Sequence, residues 1–96
     1  MTHRDKKLTE LARDQSCVAC GVLDGTVVWA HSNLSEHGKG MGHKAHDCMG
    51  MFLCYRCHGK LDQGKELSKE DRRELIYRWI CLTHIRLWAT GMVRVV

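Results

Sequence analysis

The stretch LCYRCHGKLD, Leu53–Asp62, sets two cysteines, a histidine and an aspartate close together. Two residues between Cys54 and Cys57 let one turn present both sulfurs to a single ion, and the same spacing recurs at Cys17 and Cys20. Four thiolates are the donor set of a tetrahedral structural Zn²⁺. The interval Gly21–Leu53 is longer than a compact zinc ribbon uses. It predicts a fold in which a β-hairpin supplies the first pair and a helix N-terminus the second, with a functional insertion between them. A redox CxxC would need a βαβ context that is absent here; unpaired buried thiols are the other alternative. Cys48 and Cys81 are left over. Cys81, between Ile80 and Leu82, reads as a small core residue.

The bulk of the chain makes such a staple necessary. With 96 residues it forms one domain, 1–96, and a domain of this size buries only roughly 60–65% of the surface its unfolded chain exposes. Aromatic residues make up 6%, so Trp29, Trp79 and Trp88 are expected to supply much of the core. The formal charge of +4 permits a polyanionic partner without requiring one. Seven histidines raise the expectation of metal binding or acid–base chemistry. The polar N-terminus MTHRDKKLTE does not read as a signal peptide, and Arg78, His84 and Arg86 interrupt the longest apolar run, so no membrane span is expected. A cytoplasmic location follows as an expectation, and there paired cysteines more often bind metal than form disulfides.

Working outward, Asp5–Arg13 reads as a short amphipathic helix with Leu8, Leu11 and Ala12 on one side. Cys17–Ala30 reads as a hairpin carrying the first knuckle, turning at Asp24-Gly25 and ending in a strand over Thr26–Ala30. His31 stands at the exit of that strand. Ser32–Gly50 has no periodicity, and a loop of that length in a small domain is usually functional or disordered. Met51–Cys54 is a short apolar segment, and His58–Asp62 opens a helix that Gly64 breaks. Ser68 and Asp71 resemble a capping box. They start a long helix, about 68–90, whose apolar stripe includes Leu75, Ile76, Trp79, Ile80, Leu82, Leu87 and Trp88; Gly91 suits its C-cap. MVRVV is a terminal strand or tail. His84 packs or faces solvent, and His3, near the terminus, reads as inert.

His58 directly follows the last thiolate of the second knuckle, so its direction is set by a metal-stapled element, which suits a functional group. Two elements tied to one zinc would bring His31 and His58 to a common groove. The order CxxC, strand ending in His, loop, CxxCH resembles the HNH (His-Me finger, ββα-metal) endonucleases whose scaffold carries a four-cysteine zinc. Ala30–Asp62 is most similar to small prophage-encoded nucleases of the YbcO type: Ala30-His31, Lys39–Gly42, the Lys44–Asp47 step, Cys54–His58 and then Asp62. The resemblance covers Cys17–Asp62.

The resemblance implies a zinc-stapled ββα-metal, treble-clef-like unit, which with the short N-terminal and long C-terminal helices read above makes a small α+β fold. It implies hydrolysis of DNA phosphodiester bonds. His31 would be the general base; His58 would hold a catalytic divalent ion, Mg²⁺ or alternatively Mn²⁺; the zinc on Cys17, Cys20, Cys54 and Cys57 would be structural. The chain departs from the family at Ala30, where an acid or histidine often helps bind the ion, and at Met49, near where the central Asn is expected. Asp47 is the best substitute, either as a ligand of the hard cation or as the group orienting His31. Asn33 is a second candidate to orient the base. Asp62 reads as a partner of His58 or as a solvated helix residue.

Lys39, His43, Lys44 and His46 could contact phosphates or form a solvated basic loop; His37 has no stronger claim. GKGMG lacks the spacing of a P-loop. A non-catalytic zinc-stapled nucleic-acid-binding module is the alternative function, and a zinc-organised protein-interaction domain a third. A nuclease this small would need two copies for a double-strand break, which leaves a homodimer open, although no stretch of the chain reads as a dimer face.

Overall fold

The computed structural model describes residues 4–40 and 42–95; His3, and Met41 of the GKGMG stretch, lie outside them. Helix α1 spans Lys6–Leu11 and is capped by Asp5, whose side chain accepts from the Lys7 and Leu8 backbone N–H groups. A 3₁₀ turn, Ala12–Asp14, continues it. Strand β1, Val28–His31, pairs antiparallel with β2, Gly50–Leu53, in the register Val28↔Leu53, Trp29↔Phe52, Ala30↔Met51 and His31↔Gly50. Helix α2 covers Tyr55–Gln63 and α3 Lys69–Ala89. The fold is therefore small α+β, with one two-stranded sheet and three α-helices among the described residues.

The expected hairpin is displaced. Among the described residues, Cys17–Val27 forms no strand; it holds the tight turn of the first knuckle, where Gly21 N–H bonds Cys17 O at 2.8 Å and Cys17 N–H bonds Val22 O at 2.9 Å, and a turn at Asp24-Gly25 in which Asp24 Oδ1 accepts from Thr26 N–H at 3.0 Å. Gly21 takes φ +81° in the knuckle, a conformation that favours glycine. The strand expected at Thr26–Ala30 begins at Val28 and includes His31. Its partner is the segment on the far side of the loop, so the insertion is the connection of the hairpin itself. The knuckle docks on the other edge of β2: Val18 N–H donates to Phe52 O at 2.9 Å, and Phe52 N–H bonds Thr83 Oγ1 of α3 at 3.3 Å. A buried sheet edge must have its polar groups paired, and these two bonds do so at Phe52.

β2 is buried along its whole length, and Met51, Phe52 and Leu53 are fully enclosed. Leu8, Ala12, Leu61, Ile76, Ile80 and Leu87 pack with it in one core. Trp29 meets Phe52 edge-on with ring centroids 5.3 Å apart. Gly50 lets this indole lie against β2, because a Cβ there would come within 2.3 Å of it. The core-facing stripe of α3 is narrower than expected: Ile76, Ile80, Thr83 and Leu87 are buried. Leu82, Cys81 and Trp88 face outward, Trp88 with 54% exposure, which corrects their assignment to the core. The helix turns its Ile76, Ile80, Thr83 and Leu87 side into the core, so Cys81, Leu82 and Trp88 fall on its exposed side. Helix α2 starts at Tyr55, earlier than expected, because the Cys54 sulfur accepts from Cys57 N–H and caps it. Ser68 caps α3 by accepting from Asp71 N–H at 3.0 Å. After Gly91 at φ +75°, Met92–Val95 forms no strand. No helix among the described residues is long and apolar enough to cross a membrane.

Candidate active site

The ligating sulfurs of Cys17, Cys20, Cys54 and Cys57 lie within 4.8 Å of one another. A tetrahedron of thiolates about 2.3 Å from a zinc ion has sulfurs about 3.8 Å apart; Cys20 and Cys54 stand at 3.7 Å. For the Cys17 thiol, burial opposes ionisation, but hydrogen bonds from the backbone at Cys54, Cys20 and Ala19 outweigh it and bring the thiol down to about 7. Burial, together with the neighbouring thiols, pushes Cys57 strongly up. Thiols packed this closely resist ionising together unless a cation sits among them. The four cysteines are thus positioned to bind a metal ion, and their donor set fits zinc. This knot joins the turn before β1 to the N-terminus of α2.

That junction places His31 and His58 on one cleft. The cleft, of about 1010 Å³, has β1 as its floor (Val28, Trp29, His31), with Asn33 just beyond. Its walls are the α1 side, with Glu10 and Arg13, and α2, with His58 and Asp62. Lys44 reaches it from the loop.

His31 ends β1. Its Nε2 lies 2.7 Å from Asp47 Oδ1. Asp47 is buried, with 5% exposure. Its other oxygen accepts from the Asp5 backbone N–H, and Arg4 Nη1 reaches Oδ1 at 3.2 Å. A turn closed by Met49 N–H to His46 O, followed by Ser32 N–H to Met49 O, sets Asp47 beside β1. The Trp29 indole N–H holds the Asp47 carbonyl at 2.7 Å. Burial works against the carboxylate's charge; the His31 hydrogen bond, the Asp5 N–H and the nearby Arg4 guanidinium outweigh it and hold Asp47 below the usual carboxyl range. Both oxygens are turned toward protein donors. Of the two roles open to Asp47, orienting His31 is the one its 2.7 Å contact matches.

The second pair is different. His58 Nε2 lies 2.9 Å from Asp62 Oδ2, one helical turn further along α2, and both side chains are about a third exposed (36% and 37%). Asn33 Nδ2 donates to the other oxygen, Asp62 Oδ1, at 3.0 Å. Asn33 therefore belongs to the His58 side of the cleft and not to His31. Of its two readings in the sequence, Asp62 is thus a partner of His58, at i,i+4 spacing on the helix.

The rest of the loop is ordered by α3. Glu36 accepts from Arg73 and from the Tyr77 hydroxyl. The Arg73 bonds, then the Tyr77 bond, bring its carboxyl down to about 2. His37 packs edge-on against Tyr77 at 5.2 Å, and its Nδ1 lies 2.6 Å from Ser32 Oγ. His46 N–H bonds His37 O, and its ring lies against Gly38, so His46 is partly structural. Lys39 and His43 are exposed and do not line the cleft, whereas Lys44 does. His84 packs, bonding Cys48 O at 2.7 Å beneath Trp88.

Compared with known proteins, the chain matches no protein-family model, no curated protein and no solved structure.

Proposed function

We propose that this protein is a metal-dependent endonuclease of the HNH type that hydrolyses phosphodiester bonds in DNA, on a treble-clef-like scaffold whose four cysteines hold structural zinc. The observation that carries the reading is the pairing of two histidine–carboxylate couples across one cleft, His31–Asp47 and His58–Asp62.

The chemistry follows from hydrogen-bond roles. An ionised carboxylate only accepts, so Asp47 keeps the proton of neutral His31 on Nε2 and leaves the Nδ1 lone pair as the base. His31 takes a proton from water as the water oxygen bonds phosphorus, and the bond from phosphorus to the leaving sugar oxygen breaks. Asp47 stabilises the imidazolium that results. His58, the Asp62 carboxylate and the Asn33 amide oxygen form a nitrogen and oxygen donor set suited to a hard divalent cation. A bound Mg²⁺ or Mn²⁺ would supply charge stabilisation on the phosphate and leaving oxygen. In this reading Asp62 takes the cation role, and Asp47 orients His31. Lys44, at the cleft mouth, supplies a cation for the DNA backbone.

A plasmid-nicking assay on zinc-loaded protein tests this. We expect nicking with Mg²⁺ or Mn²⁺ and none with EDTA at a level that spares the zinc. His31→Ala should lower the rate on the order of 10²–10⁴-fold, and His58→Ala should weaken the response to the divalent ion, with zinc content unchanged in both. One observation favours a second reading, a binding module without catalysis: Ala30, before His31, is buried and has no ligating atom. DNA retained at low salt with no nicking under any metal would select it.

A further inference from the structure

Asp47 is seated by a segment that the zinc knot does not reach. Arg4, just before α1, sends its guanidinium to three acceptors at once: Ala45 O at 2.6 Å, Lys44 O at 3.0 Å and Asp47 Oδ1 at 3.2 Å. The next residue, Asp5, gives its backbone N–H to the other Asp47 oxygen and then caps α1 with its own side chain. The Lys44–Asp47 strap is thus gripped along its length by one planar fork, 40 to 43 residues away in sequence. A guanidinium suits this task because its donors lie in a fixed plane; a lysine ammonium is a point charge and cannot span three acceptors in this way.

We infer that Arg4 is a positioning residue for the His31–Asp47 pair, acting through the strap and the carboxylate. The mechanistic role of the pair rests on the function proposed above, but the positioning does not require the chain to be a nuclease. Other charged or titratable groups facing His31 across the cleft are Glu10, Arg13 and Asp14 from the α1 side, Lys44 from the strap, and His58 and Asp62 from α2. Among the described residues, none of these bonds Asp47. With Arg4 removed, the Asp47 carboxylate loses its lateral support and can swing from Nε2, and His31 then loses its tautomer preference.

The test is ring ¹⁵N NMR of His31 in zinc-loaded protein, at a pH where the imidazole is neutral. The wild type should show one tautomer, protonated at Nε2. Arg4→Ala should show a mixture of the two, and Arg4→Lys should recover the single form only in part. Nicking, if present, should fall about 10–100-fold in Arg4→Ala, the range found for residues that support a metal-site or active-site ligand. A single Nε2–H tautomer persisting in Arg4→Ala overturns the inference, even if thermal stability has dropped. If Arg4→Ala does not fold, Arg4→Gln, which keeps a donor for the strap carbonyls, is read in its place with the same two outcomes. A wild type that shows the single tautomer but never nicks defeats the nuclease reading and leaves the positioning role standing.

Discussion

The two histidine–carboxylate pairs of the cleft share a chemistry and differ in almost everything else. His58–Asp62 is local: both residues sit on α2, one turn apart, and both are about a third exposed. His31–Asp47 joins a strand end to a loop, and its side chains are 18% and 7% exposed. Water competes with the first pair and hardly with the second. An exposed pair of this kind contributes little stability, which under the function proposed above leaves it free to exchange its contact for a cation. A buried carboxylate with donors on both oxygens is costly to disturb, which suits a group that must hold an imidazole in one orientation.

The largest expected effect removes both pairs together. Stripping the metal from the four cysteines, or replacing Cys54 by Ser, should abolish the cooperative fold, since structural zinc contributes about 10–16 kcal/mol in small zinc domains. Circular dichroism and amide NMR with and without a strong chelator would show it. A chelated protein that keeps its dispersed spectrum would mean the cleft does not depend on the knot.

Single substitutions then separate the pairs. Asp47→Ala should cost about 3 kcal/mol in denaturant unfolding, because it strands the donors of His31, Asp5 and Arg4. Gly50→Ala should cost about 1–3 kcal/mol, because the added methyl meets the Trp29 ring that anchors the Asp47 carbonyl. Asp62→Ala should cost less than about 1 kcal/mol. Equal losses at Asp47 and Asp62 would erase the distinction between the pairs.

Acid should discriminate them as well. The Asp47 carboxyl is lowered from its ordinary value of 3.8, so the unfolded chain binds its proton first as pH falls. Its contribution is complete above that value and is lost as pH drops through the lower folded one. Stability curves for wild type and Asp47→Asn should therefore converge below about pH 4, with contributions common to both proteins cancelling. Parallel curves down to pH 2 would contradict the shift.

Much of the scaffold was legible because its signals are local. Matched CxxC spacing, the Ser68 cap and the break at Gly64 each depend on neighbours a few residues away. The pairing of β1 was not legible in the same way. Thr26–Ala30 has strand character, but nothing in it distinguishes Cys17–Val22 from Gly50–Leu53 as partner; the buried run around Phe52 decides that. Trp88 and Cys81 were assigned to the core by apolar type, and α3 turns them outward since its Ile76, Ile80, Thr83 and Leu87 side faces the core.

By itself, the sequence determined which side chains could do chemistry: four thiols spaced for one ion, a histidine at a strand end, and a histidine and aspartate a turn apart on a helix. Only the tertiary structure decided which of them meet. Asp47 lies sixteen positions from His31 and more than forty from Arg4, and no periodicity relates residues at such separations. Their meeting depends on the loop closing back on β1, on Trp29 packing close against Gly50, and on the N-terminal segment reaching the strap. Each of these is a packing outcome, settled by which surfaces the folded chain can bury together.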